Sequence, residues 1–83
     1  MRITLKLFAS LTDHLPAGGK DNQVELETGE GETVAQVIQR CQLPERLVHL
    51  VLVNGVYVAP GDRPVRQLNP GDQLAIWPPI AGG

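Results

Sequence analysis

The last seven residues of this chain, Trp77-Pro78-Pro79-Ile80-Ala81-Gly82-Gly83, carry its most reactive possibility, the α-carboxylate of Gly83. A carboxylate borne on two residues without side chains can be threaded through a narrow channel into another protein's active site. It is a poor acyl donor at neutral pH. Joined to a good leaving group, it becomes open to attack, which is the activation logic of covalent catalysis applied to a protein's own end. Gly82 and Gly83 add low bulk and backbone angles closed to other residues. Ordering residues 78–83 would cost about 6–12 kcal/mol, at roughly 1–2 kcal/mol per residue, more than two glycines recover by contacts. Pro78 and Pro79 lower that cost because their φ angles are already fixed. The folded surface must supply the rest, with Phe8, Trp77 and Ile80 as its candidates. Two terminal glycines also arise by chance about once in a hundred chains, so the dipeptide alone leaves a passive, frayed end as an equal reading.

Other reactive side chains are sparse. Cys41 invites a persulfide role, but it falls on the apolar stripe of a helix, where a cysteine acts as a small buried hydrophobe. His14 and His49 are too isolated for a metal or catalytic pair, and no metal site is expected. Glu25, Glu27, Glu30 and Glu32 read as a solvated edge with helix-dipole partners, and alternatively as an acidic docking strip. No P-loop pattern is present, so ATP is not expected to bind by that route.

The body that positions the tail is a single small domain of 83 residues. Apolar content of 42% and charged content of 19% fit a globular chain, and one Phe, one Tyr and one Trp make its core aliphatic. A net charge of −2 without a Lys/Arg cluster argues against nucleic acid as a partner. No apolar run reaches membrane-span length and no signal segment leads the chain, so a cytoplasmic protein is expected. With one cysteine there is no internal disulfide.

Alternation of Ile3, Leu5 and Leu7 with Arg2, Thr4 and Lys6 predicts a half-buried strand over 2–8. About one helical turn follows over 9–15, then a Gly-rich loop, then a second strand over 23–27 that pairs back as an antiparallel hairpin. Thr33 and Gln36 have capping-box spacing, and Val34, Val37, Ile38 and Cys41 form one helical stripe, closed by Pro44. Residues 44–47 start a further short turn. Leu50 to Val53 reads as a buried strand, Asn54-Gly55 as a two-residue hairpin turn, and 56–58 as the return strand. Residues 59–62 are expected as loop. Asn69-Pro70-Gly71-Asp72 fits a type II turn before a last strand over 73–77, which Pro78 and Pro79 must end. The expected fold is α+β: a small mixed sheet of four to five strands crossed by one main helix. Residues 1–77 form the domain and 78–83 a flexible tail.

Taken together, Leu7-Phe8-Ala9, Gly31-Glu32-Thr33-Val34, Val53-Asn54-Gly55, Asn69-Pro70-Gly71-Asp72 and the tail from Trp77 resemble the ubiquitin-like sulfur carriers of the MoaD/ThiS family over essentially the whole chain. The two prolines before Gly-Gly are most similar to the MoaD branch, the small subunits of molybdopterin synthase. The resemblance implies a β-grasp fold and a mechanism. An E1-like, MoeB-like enzyme using ATP adenylates Gly83, and a sulfur donor converts it to a thiocarboxylate. Ala81 and Gly82 thread into a MoaE-like large subunit, where the sulfur builds the molybdopterin dithiolene. Phe8, Trp77, Pro78, Pro79 and Ile80 would contact partners, and the chain itself would bind no cofactor and catalyse nothing alone. Two departures stand out: Trp77 replaces a usual Phe, and the loop Ala17-Gly18-Gly19-Lys20 sits where many members continue a longer helix. Three rivals remain open: a carrier for thiazole, cysteine or RNA thiolation, a ubiquitin-like modifier, and an interaction module with an inert tail.

Overall fold

The structure, a computed structural model, describes residues 1–79; Ile80, Ala81, Gly82 and Gly83 lie outside the described residues. The chain runs β1 (Arg2–Leu7), a 3-10 helix (Ala9–His14), β2 (Gln23–Glu27), α1 (Val34–Arg40), a 3-10 turn (Glu45–Leu47), β3 (Leu50–Val53), β4 (Val56–Tyr57), a 3-10 turn (Pro60–Asp62) and β5 (Gln73–Trp77). The five strands form one mixed sheet in the order β2-β1-β5-β3-β4. β1 and β5 run parallel at its centre, and the other three pairings are antiparallel.

The alternation of β1 becomes a division of faces. Ile3, Leu5 and Leu7 are buried while Arg2, Thr4 and Lys6 lie on the other side. Leu74 and Ile76 of β5 and Val51 and Val53 of β3 join them, and α1 covers this face with Val34 and Val37. The resulting core is aliphatic throughout.

The capping box forms as expected. Gln36 N–H donates to Thr33 Oγ1 at 3.2 Å, and Thr33 N–H donates to Gln36 Oε1 at 2.8 Å. The helix stops earlier than its apolar stripe, with Cys41 as the C-cap. Gln42 takes a left-handed φ of 56°. Its N–H donates to the Gln39 carbonyl at 3.0 Å and the Leu43 N–H to the Ile38 carbonyl at 3.2 Å, a Schellman ending with Gln in place of Gly. The free N–H groups of the helix start are met from residues 63–66: Val34 donates to the Arg66 carbonyl and Ala35 to the Arg63 carbonyl. That segment, expected as plain loop near 59–62, begins with the 3-10 turn led by Pro60.

Both sharp turns take their expected forms. Asn54 and Gly55 have φ of 51° and 82°, the pair of left-handed residues a type I′ hairpin requires. Gly71 has φ 83° and the Asp72 N–H returns to the Asn69 carbonyl at 3.1 Å, closing the type II turn. Among the described residues no helix is long and apolar enough to cross a membrane.

Candidate functional site: the aromatic face at the root of the tail

Trp77 is the last residue of β5, held on both sides. Its carbonyl accepts from the His49 N–H at 3.1 Å, and it stands opposite Leu50 of β3. On the β1 side, Phe8 N–H donates to the Ile76 carbonyl at 3.2 Å, one step past the end of the β1–β5 ladder. Ala9 then turns away with a left-handed φ of 52°. This brackets the two rings together. Phe8 and Trp77 stack with centroids 4.1 Å apart and planes 5° from parallel. Such a pair contributes about 0.5–1.5 kcal/mol beyond its buried area. Both remain half-buried, so each keeps solvent-facing surface.

The two prolines differ. Pro78 is buried and Pro79 is exposed. Pro78 therefore packs on the body of the free chain, directly after the stack. Four of the residues assigned to the site by sequence, Ile80, Ala81, Gly82 and Gly83, lie outside the described residues.

The face extends beyond the residues expected. Leu50 and Leu52 alternate with the buried Val51 and Val53 and are only half-buried. Leu52 stands opposite both Ala75 and Tyr57. Tyr57 is 56% exposed. Trp77, Leu50, Leu52 and Tyr57 thus share the sheet surface opposite α1. Sequence reasoning missed the two leucines because an all-apolar run carries no alternation from which to choose a face.

The acidic residues do not join this surface as one strip. Glu27 lies opposite Arg2 and accepts from its Nε at 2.6 Å, with Glu25 3.5 Å from the same guanidinium. The hydrogen bond from Arg2 holds the Glu27 carboxyl below its usual range. Glu32 pairs with Arg40 at 3.0 Å and also accepts from the Gly29 N–H at 3.1 Å. Burial pushes the Glu32 carboxyl up, but Arg40 and the Gly29 N–H outweigh it, and the net direction is down. Cys41 is half-buried, and burial pushes its thiol up despite neighbouring Arg40. It packs against the core as a thiol rather than standing ready as a thiolate. Among the described residues no three His, Cys, Asp or Glu side chains cluster to hold a metal.

A five-stranded mixed sheet in the order β2-β1-β5-β3-β4 crossed by one main helix is the ubiquitin-like β-grasp fold, here with an aromatic pair at the end of its final strand. The sequence model of the ThiS family matches residues 5–83, and the chain belongs to that family of ubiquitin-like sulfur carriers. The HVO 2177 protein of Haloferax volcanii is similar at 26% identity and TM-score 0.78, over 100% of this chain and 87% of that one. SAMP1 of the same organism is similar at 24% identity and TM-score 0.69, over 100% of both chains. A chain from the complex of subunits 1 and 2 of the Helicobacter pylori molybdopterin-converting factor is similar at 17% identity and TM-score 0.62, over 100% of both. The last two likenesses carry the fold alone. No curated protein matches the chain.

Proposed function

We propose that this carrier is the sulfur-donating small subunit of a molybdopterin synthase. The Gly83 carboxylate attacks ATP in an E1-like activating enzyme, releasing pyrophosphate and leaving an acyl-adenylate. A sulfide-level sulfur nucleophile supplied by a donor attacks the acyl carbon, displaces AMP and leaves a thiocarboxylate. The tail, with Ala81 and Gly82 as its narrow part, enters a MoaE-like large subunit, where the thiocarboxylate sulfur bonds to the pterin precursor and water cleaves the acyl carbon–sulfur bond, leaving the sulfur on the forming dithiolene and Gly83 as a free carboxylate. ATP and its site belong to the activating enzyme; this chain contributes the acyl group and a docking face and no cofactor. The observation that carries the reading is the Phe8–Trp77 stack at the root of a Pro-Pro-Ile-Ala-Gly-Gly tail, within a family match that runs through Gly83. Support for a large-subunit partner comes from the Helicobacter pylori molybdopterin-converting factor, where a chain of this fold occurs in a complex of subunits 1 and 2.

A second reading, a modifier joined to target lysines through Gly83, draws on the full-length likeness of fold to a small archaeal modifier protein. Affinity capture of the tagged chain from its own cell extract separates the two. The synthase reading predicts a MoaE-like large subunit as the stoichiometric partner. Recovery of a thiazole synthase in its place would overturn the molybdopterin assignment, and a ladder of larger, thiol-stable species would favour the modifier.

A further inference from the structure

The chain has three asparagines. Asn22 precedes Gln23, Asn69 precedes Pro70, and only Asn54 precedes a glycine. An asparagine amide carbon can be attacked by the backbone nitrogen of the next residue. Proline has no N–H to use, a long side chain obstructs the approach, and glycine presents neither obstacle. Asn54 is exposed, so water reaches it. Its amide is nevertheless engaged at both ends. Nδ2 donates to Asp72 Oδ1 at 2.8 Å, and Oδ1 accepts from the Gln73 N–H at 2.9 Å. Asp72 is buried, and its other oxygen accepts from the Asn69 N–H at 2.8 Å. The latch is therefore part of the turn that starts β5, reaching across to the turn between β3 and β4.

We propose that Asn54 is a site of spontaneous deamidation held in check by Asp72 and Gln73. In the step held back, the Gly55 nitrogen loses its proton to water or hydroxide and bonds to Asn54 Cγ. The Cγ–Nδ2 bond breaks and ammonia leaves with the proton. Water then opens the five-membered imide at either carbonyl, giving aspartate or isoaspartate, with no change of oxidation state. The attack needs the amide free to turn onto the Gly55 nitrogen, and the two hydrogen bonds oppose that rotation. The product undoes the latch. An acid at position 54 has no Nδ2 donor for Asp72 and sets two carboxylates at hydrogen-bond distance, which like charges resist. Isoaspartate also lengthens the backbone of a two-residue turn. The conversion would loosen β4 and the start of β5 together.

The test uses the full chain at neutral pH and physiological temperature, with peptide mapping for the amide-to-acid mass change and for isoaspartate at position 54. Native wild type is compared with wild type in guanidinium chloride, Asp72→Ala and Asp72→Asn, each checked for folding by circular dichroism. Denatured wild type is expected to convert at least about tenfold faster than native. Folded Asp72→Ala is expected to convert about tenfold faster than native wild type, the equivalent of one charge-assisted hydrogen bond. Asp72→Asn keeps an acceptor oxygen and is expected to fall between; if Asp72→Ala unfolds, this variant decides. Native wild type converting as fast as the denatured chain, or folded Asp72 variants converting no faster than wild type, would overturn the proposal.

Discussion

In the proposed function Gly83 is the reacting group, and the stacked Phe8–Trp77 pair belongs to the surface that presents it. Gly83→Ala is expected to lower sulfur transfer about a hundredfold, the scale at which a misplacement of roughly 1 Å costs rate, and to leave the melting temperature unchanged. Normal transfer by that variant would contradict the threading argument. The aromatic pair is testable without any partner. A double-mutant cycle of Phe8→Ala and Trp77→Ala in urea denaturation is expected to show a coupling of about 0.5–1.5 kcal/mol, and additive effects would mean that the stack adds nothing. Strand alternation made both rings legible as outward residues, because each follows or ends a strand with clear phase. Burial of Pro78 was not legible, since composition reports that a proline is stiff but not which way the chain bends after Trp77.

Among the elements, α1 and the turns carry the positioning. Thr33→Ala removes one half of the capping box and is expected to cost about 0.5–2 kcal/mol in denaturant unfolding. A cost near zero would mean that the carbonyls of Arg63 and Arg66 suffice to hold the helix start. Gly71 and Gly61 make a matched pair. Neither would crowd a Cβ, but only Gly71 has a positive φ. Gly71→Ala should therefore cost about 1–2 kcal/mol and Gly61→Ala far less, and equal effects would contradict the turn assignment. These features follow residues with strong local preferences, so the capping box, the Asn54-Gly55 turn and the type II turn could all be read in advance. The Schellman ending could not. Gln42 is a residue without αL preference, and burial of Leu43 in the core, with Ile38 packed against that core, overrides the local bias. The link from residues 63–66 to α1 was hidden for a related reason: backbone carbonyls that accept from helix N–H groups across the fold leave no mark in residue type.

For the whole molecule, a small core makes the surface ion pairs visible in its acid behaviour. The carboxyls of Glu27 and Glu32 are both held below the ordinary glutamate value of 4.5 in the folded chain. A depressed folded pKa contributes stability that is present above the unfolded value and is lost as pH falls through the folded one. Stability against urea should therefore hold its Glu32 contribution near neutrality and lose it from about 4.5 downward. Glu32→Gln should flatten part of that slope, and an unchanged slope would show that Arg40 stabilises the neutral and charged forms alike. Glu27→Gln should matter less, and less still at high salt, because its pair with Arg2 is exposed. The fold as a whole was legible because strand phase, helix stripe and turn chemistry agree on one mixed sheet. What the sheet presents on its open face was only partly so, as Leu50, Leu52 and Tyr57 show.

Whether Gly83 is the reacting group can be read from the intact mass of the chain. The full chain is incubated with its activating enzyme, ATP and a sulfur donor, and its mass is read before and after. One oxygen is expected to be exchanged for sulfur at Gly83, localised by fragmentation of the C-terminal peptide and absent when ATP is omitted. A chain whose mass stays unchanged, or whose added sulfur maps to Cys41, would contradict Gly83 as the reacting group.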